Sequence, residues 1–502
     1  MRRLRARRAL RRPTTALAAI AATATTAGLL AAAPSAPAAP APALAAGPSA
    51  TGLTLGAATA ERRALTGKRT VMVVGNNWDG TATIVDGETR RKLDRIDIVP
   101  DLEQELRDIR TTPDRLAFYL AVQQGVGEGH DQYVDDAFTT RNGRFLAVSR
   151  PSLSDVVWID LRKAAAGDRD SIVAERQMDG YRTDHMGVSP DGRRLLVSDS
   201  TERQVIEYSM VNERRPDGTR IRMGQRLRAF ESGDTPHENN YSDDGRRIFH
   251  ASIGRVYTAP DQDFPAPIPD DFVHDSVKAD RWLEVVRTRD FAVTKRWDMG
   301  LELEEAGHPD MSSAVRPVAL SPDEQTMYLQ VSFFHGIVEF ALDEPDVAGS
   351  ADYTTGPLGG ATVPEPETGR VTRLIPLPNL VPDVPREQYV LDSAHHGIAM
   401  NESGRKLCVS GTMSDYAAIV DPRTEERKLF RGDARFLEGR EYSKPYWATE
   451  GPGNTCWMSM SGSDMVTIID FRTEKVIGEV AVGDHPQRVR EGRIRESIVA
   501  TF

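Results

Sequence analysis

Cysteine is scarce in this chain of 502 residues: only Cys408 and Cys456 occur, and neither stands in a Cys-x-x-Cys or Cys-x-x-Cys-His arrangement. Thioredoxin-like redox chemistry, a zinc ribbon and c-type haem attachment therefore have no support. The sequence also lacks a Walker loop, a dinucleotide-binding glycine fingerprint after a strand, an HExxH helix and a GxSxG nucleophile elbow. After the first 45 residues no apolar run is long enough to span a bilayer. Positive charge is concentrated at the start, where seven arginines and no acid occupy the first 45 residues. Removing those seven charges from a net charge of -11 leaves -18. A surface that acidic repels nucleic acid and anionic lipid. What is present is 39% hydrophobic and 27% charged sequence, enough apolar side chain for a large core and too much for global disorder.

The seven arginines belong to a three-part segment. Basic residues run to Arg12, an apolar Ala/Thr/Leu stretch covers Thr14 to Ala33, and a Pro/Ala tract ends in Ala43-Leu44-Ala45. This is the build of a secretory signal, residues 1–45, and the pairs Arg7-Arg8 and Arg11-Arg12 fit twin-arginine export. A transmembrane anchor is the alternative, weakened by the poor insertion of Ala and Thr. An Ala/Pro/Gly-rich linker, 46–67, follows. The expected location is extracytoplasmic or secreted, with no stable membrane span.

From residue 68 to 502 the chain repeats itself. Asp184-His-Met-Gly-Val-Ser-Pro-Asp-Gly192 precedes Arg-Arg-Leu-Leu-Val-Ser; His237-Glu-Asn-Asn-Tyr-Ser-Asp-Asp-Gly245 precedes Arg-Arg-Ile-Phe-His; His396-Gly-Ile-Ala-Met-Asn-Glu-Ser-Gly404 precedes Arg-Lys-Leu-Cys-Val-Ser. Degenerate copies lie at Asp135 to Gly143, Arg316 to Glu324 and Pro445 to Gly453. Each reads as strand, tight turn and strand, with two further strands to follow, giving units of roughly 40 residues. The pattern predicts an all-β chain, a seven-bladed β-propeller with loop insertions on its top face; six or eight blades are the alternatives. The tail Pro486 to Ile494 is expected to supply the inner strand of a first blade begun near Val71, so that N- and C-terminal strands close the ring.

These residues resemble the YVTN family of β-propellers, the extracytoplasmic YncE-like group. The likeness rests on the Gly233-to-Arg247 phrase and its cousins. The family's Tyr-Val-Thr-Asn strand end appears only as Leu196-Val-Ser-Asp199, Leu407-Cys-Val-Ser410 or Trp457-Met-Ser-Met460. The resemblance implies architecture and not activity, since one propeller hosts scaffolds and enzymes alike.

Aligning the copies exposes a candidate site. Eight positions before the turn glycine, where an inner strand begins at the channel mouth, stand Asp135, Asp184, His237 and His396, with Arg316 in the matching place. Neighbours add Asp136, His185, Glu238 and His395; His335 and Trp447 fall on predicted top-face segments. Imidazole with carboxylate suits a divalent transition metal, with His237 and His396 as its ligands, or acid–base chemistry near neutral pH. A merely hydrated polar channel, with Trp447 packed between blades, is the alternative. Long top-face insertions are expected at Asp101 to Gly129, with a helix from Asp114 to Gln124 capped by Thr112, and at Val256 to Lys278, Gly300 to Ser313, Pro376 to Ser393 and Gly432 to Lys444. The acidic run Glu302 to Glu305 reads as a solvated loop.

The sequence therefore predicts a monomeric exported propeller binding a small molecule, metal or peptide at the top mouth. The alternatives are a metal- or His-assisted lyase, hydrolase or oxidoreductase on the same residues, and a scaffold for an extracellular protein. Cys408 and Cys456 fall on second strands of neighbouring units, where either a bridge across the seam or two buried thiols fits.

Overall fold

The computed structural model describes residues 67–254, 280–342, 369–389, 391 and 393–502, with the short strand pair 354–355 and 361–362. The expected signal segment, nearly all of the linker, the 256–278 insertion with His274 and most of 346–369 lie outside the described residues.

Seven four-stranded antiparallel sheets follow one another along the chain. Blade 2 runs from Ala137–Thr139 to Ile172–Gln177, blade 3 from Thr183–Val188 to Arg226–Glu231, and blade 4 from Pro236–Tyr241 to Ala292–Asp298. Blade 5 runs from Val315–Leu320 to Arg370–Pro376, blade 6 from Ile398–Met400 to Arg427–Phe430, and blade 7 from Pro445–Gly451 to Lys475–Ala481. Blade 1 is assembled from both ends: Pro486–Arg495 pairs antiparallel with Lys68–Asn76, outside which lie Thr81–Asp86 and Lys92–Asp97. The first strands of the blades contact one another around a common axis. The closure, the number of blades and the strand order match the sequence pattern.

Strand alternation explains how the blades hold together. Val71 and Val73 pack toward blade 2, whereas Met72 and Val74 pack toward blade 7. The same division recurs around the ring, so that seven separate hydrophobic clusters each fill one seam between adjacent blades. The core of a propeller is this set of seams.

The repeated turn needs a left-handed residue. Gly192 and Gly245 have φ of +67° and +70° there, and Glu324 takes the same place in blade 5 at +56°. Glu324 is anchored there by its carboxylate, which accepts from Arg247 at 2.7 Å and from the Asp243 amide at 2.6 Å in blade 4.

Cys408 and Cys456 form a disulfide with Cα atoms 6.2 Å apart, inside the cluster between blades 6 and 7. Given a sequence separation of 48, loop-closure entropy assigns the bridge about 4 kcal/mol of stability. Reduction is expected to lower the free energy of unfolding in denaturant by about that amount. An unchanged unfolding midpoint after reduction contradicts the assignment.

The insertion after blade 1 forms two helices, Leu102–Thr111 and Pro113–Gln124. Thr112 precedes the second helix, but its hydroxyl donates back to the Asp108 carbonyl at 2.8 Å instead of capping it. The acidic run is likewise no open loop. It lies in a short helix, Met299–Glu305, capped by the Asp298 carboxylate, with Glu302 buried.

Candidate functional site

In five of the seven blades the inner strand begins with a local departure from regular pairing. In blade 3 the register passes from Thr183↔Asp199 to Met186↔Val197, one more residue on the inner strand than on its partner. Equivalent shifts occur between Pro236 and Glu238, Val315 and Val318, and Pro445 and Ala448, and opposite Val74 and Asn76 in blade 1. A bulge of this kind breaks strict alternation, so two consecutive side chains can turn the same way. Here they turn toward the axis. Asp135 with Asp136, Asp184 with His185, His237 with Glu238, Tyr446 with Trp447, and Arg488 of the closing strand all enter one cluster.

The contacts establish this convergence. The rings of His185 and His237 are 3.7 Å apart between centroids, and His185 lies 6.3 Å from His396 on the far side of the ring. His237 and His396 are 6.0 Å apart, and His396 stacks on Tyr446 at 4.0 Å. Trp447 meets the edge of His185 at 5.6 Å and carries the guanidinium of Arg488 over its face at 4.3 Å. Arg488 pairs with Asp135 at 3.1 Å, and Arg490 grips Asp136 through two hydrogen bonds of 2.9 and 2.7 Å. Arg316 acts electrostatically on both His237 and His396, and its Nε donates to Ser332 Oγ at 2.9 Å. All seven blades contribute, and the cluster is buried: His237 is 4% exposed and Arg488 1%. The side chains expected at the mouth are thus buried and in contact with one another.

The hydrogen bonds fix the state of His185. Arg488 can only donate, and its Nη2 contacts His185 Nε2, which must accept. The proton is therefore on Nδ1, donated to Glu238 at 2.9 Å. Burial holds His185, His237 and His396 well below the usual imidazole range, reinforced by the surrounding arginines. Burial also lifts Asp135 and Glu238 to about 7, partly opposed by Arg488 at Asp135 and by Arg490 and Arg488 at Glu238. Arg488 stays charged: burial works against it, but Asp135 and its other neighbours raise it overall.

Several polar atoms in the cluster have no hydrogen-bond partner among the described residues: Asp135 Oδ2, His237 Nδ1, Trp447 Nε1, and Arg488 Nε and Nη1. Leaving such atoms unsatisfied costs about 1–3 kcal/mol each. Donor atoms of Asp184, His185 and His237 lie within 4.8 Å of one another, which brings a metal-sized set together. This set pairs His237 with His185, not with His396.

His335 and His395 lie elsewhere. Their rings are 5.6 Å apart in a second group, where His335 Nε2 meets Tyr389 OH at 2.9 Å and His395 Nε2 meets Tyr416 OH at 3.0 Å. Arg488 and Arg490 lie on the closing strand, outside the repeated turn phrases. Gly483-Asp-His-Pro-Gln-Arg488 parallels Gly233-Asp-Thr-Pro-His-Glu238, which places Arg488 where Glu238 stands.

No family model matches the chain, and no curated protein matches it in sequence. Among solved structures it is similar to a putative 6-phosphogluconolactonase from Bacteroides uniformis, with 12% identity over 84% of this chain and 99% of that one and a TM-score of 0.48. It is similar to the periplasmic gluconolactonase PpgL of Pseudomonas aeruginosa, with 15% identity over 84% and 99% and a TM-score of 0.45. It is also similar to hydrazine synthase of Kuenenia stuttgartiensis, with 14% identity over 78% and 89% and a TM-score of 0.43. No activity passes to this chain from likenesses of that degree. No helix among the described residues is long and apolar enough to cross a membrane.

The buried imidazoles make stability depend on pH. His250, His395 and His485 are held near about 3 and His335 near about 4 by burial, beside the three axial histidines. The unfolded chain binds protons at these positions as pH falls through about 6.5, and the folded chain does not. Their contribution is complete above that pH and is lost toward the folded values. Asp135, Asp155 and Glu238, each near about 7, act oppositely, favouring the fold most below their unfolded values and losing that advantage as pH rises through 7. The seven lowered histidines outnumber these three carboxyls together with Asp199, which burial holds near about 6, so the thermal midpoint is expected to climb between about pH 4.5 and 6.5 and level off near 7. A midpoint falling across that range shows that the histidines are not buried as neutral rings.

Proposed function

We propose that this chain is an exported β-propeller that binds a small polar organic molecule, bearing a carboxylate or similar acceptor group, within its axial cluster. The observation that carries the reading is the set of unpartnered atoms. Arg488 offers two buried donors, Trp447 one, and Asp135 and His237 supply further unpartnered atoms in the same cluster. A ligand with both acceptor and hydroxyl groups has the chemistry to pair with these donors and acceptors. Export rests on the basic, apolar and small-residue segments of the first 45 residues.

A divalent transition metal is the second reading, favoured by the Asp184, His185 and His237 donors and by Glu238, which orients the His185 ring through Nδ1. Arg488 opposes it, since a permanent cation occupies the lone pair the metal needs. Catalysis by proton transfer is a further step on the same residues, supported by Asp135 and Glu238 being poised near neutrality.

Native mass spectrometry and elemental analysis of the full chain purified from its host decide among these. The organic reading expects one low-mass species per chain, lost in His237→Ala and in Arg488→Lys. About one equivalent of metal, lost in His185→Ala, supports the metal reading instead. A wild-type chain carrying neither overturns both and leaves the scaffold reading.

A further inference from the structure

A cavity of about 300 Å³ opens on a different part of the molecule, between the segment after blade 4 and the loops of blade 5. One side is apolar, formed by Met311, Phe333 and Phe334; its charged side chains are Asp310 and Arg386, both exposed. Phe333 is held at φ +64°, a left-handed conformation unusual for a bulky residue, and Arg386 lies 5.7 Å from its ring centroid. Such conformations persist where the surroundings enforce them, and they gather at binding sites. Neither Arg386 nor Asp310 forms an ion pair with any described residue. A cation, an anion and an aromatic wall thus border one hollow whose size suits a small ligand.

We infer that this cavity binds a zwitterionic α-amino acid with a large apolar side chain: Arg386 takes the carboxylate, Asp310 the ammonium, and Phe333, Phe334 and Met311 the side chain. Arg pairs bidentately with a carboxylate, and an apolar body against aromatic rings supplies the burial. The inference is independent of the axial reading, since it uses none of the axial residues. Ser332, on the cavity wall, accepts a hydrogen bond from Arg316 of that cluster.

The test is a ligand-observed NMR titration of the full chain with L-phenylalanine, phenylacetate and phenethylamine. L-Phenylalanine is expected to bind at least about tenfold more tightly than either one-charge analogue. Arg386→Ala is expected to erase its advantage over phenethylamine, and Asp310→Asn its advantage over phenylacetate. Both positions are exposed, so unchanged melting of the variants confirms intact folding. Equal binding of all three probes overturns the inference. So does a preference that survives both substitutions, which assigns the binding to another place on the chain.

Discussion

A chain ending at Asp484 is expected to lose cooperative unfolding altogether. The deleted segment holds the whole inner strand of blade 1, registered against Lys68–Asn76 from Arg495 opposite Lys68 to Pro486 opposite Asn76. It also removes Val489, Ile494, Ile498 and Val499, all buried in the seams on either side of blade 1. Loss of each such side chain costs about 2–5 kcal/mol, and the sum exceeds the 5–15 kcal/mol that ordinarily separates folded from unfolded protein. The deletion also bares the hydrogen-bonding edge of Lys68–Asn76, which invites association between chains. The measurement is thermal unfolding followed by calorimetry, with a peptide of residues 485–502 added to the truncated chain. Loss of the transition, with partial recovery on adding the peptide, is the expected outcome. A truncated chain that melts like the full one shows that the ring does not depend on this closure.

That closure was legible from the count of units. The strands beginning near Val71 form an incomplete first unit, and the stretch Pro486 to Ile494 is left over after the seventh. The turn phrase was equally legible, since the left-handed glycine at 143, 192, 245 and 404 marks the same point of blades 2, 3, 4 and 6. Eight residues before it stand Asp135, Asp184, His237 and His396. Arg488 carries no such mark, because its strand is followed by no turn phrase. His395, expected at the mouth, stands one residue before the axial position and turns to Tyr416 in the seam between blades 5 and 6. The bulges, which bring consecutive residues to the axis in blades 3, 4 and 7, depend on pairing between strands and leave no local mark in the sequence. Trp447 satisfies both readings given to it: it belongs to the seam between blades 7 and 1, and it presents its face to Arg488.

Arg488→Met is expected to destabilise the protein by about 3–5 kcal/mol at pH 8, and by distinctly less at pH 5.5. The side chain balances Asp135 directly and fills the acceptor lone pair of His185. Its removal leaves a buried carboxylate without its cation, a costlier change than the loss of one favourable contact. The cost depends on whether Asp135 is ionised. With Arg488 present its carboxyl already titrates near about 7, because burial outweighs the attraction of the guanidinium. Without that attraction the carboxyl moves higher still. At pH 8 the variant must either hold an unpaired charge or take up a proton against the bulk pH. At pH 5.5 the carboxyl is neutral in both proteins, and the penalty shrinks toward the lost packing on Trp447. Asp135→Asn should therefore relieve part of the Arg488→Met penalty at pH 8 and little of it at pH 5.5. A double-mutant cycle by denaturant unfolding at the two pH values measures this coupling. A penalty that is equal at both pH values shows that Asp135 is not the group Arg488 balances, and shifts that role to Glu238 or Asp184 across the axis.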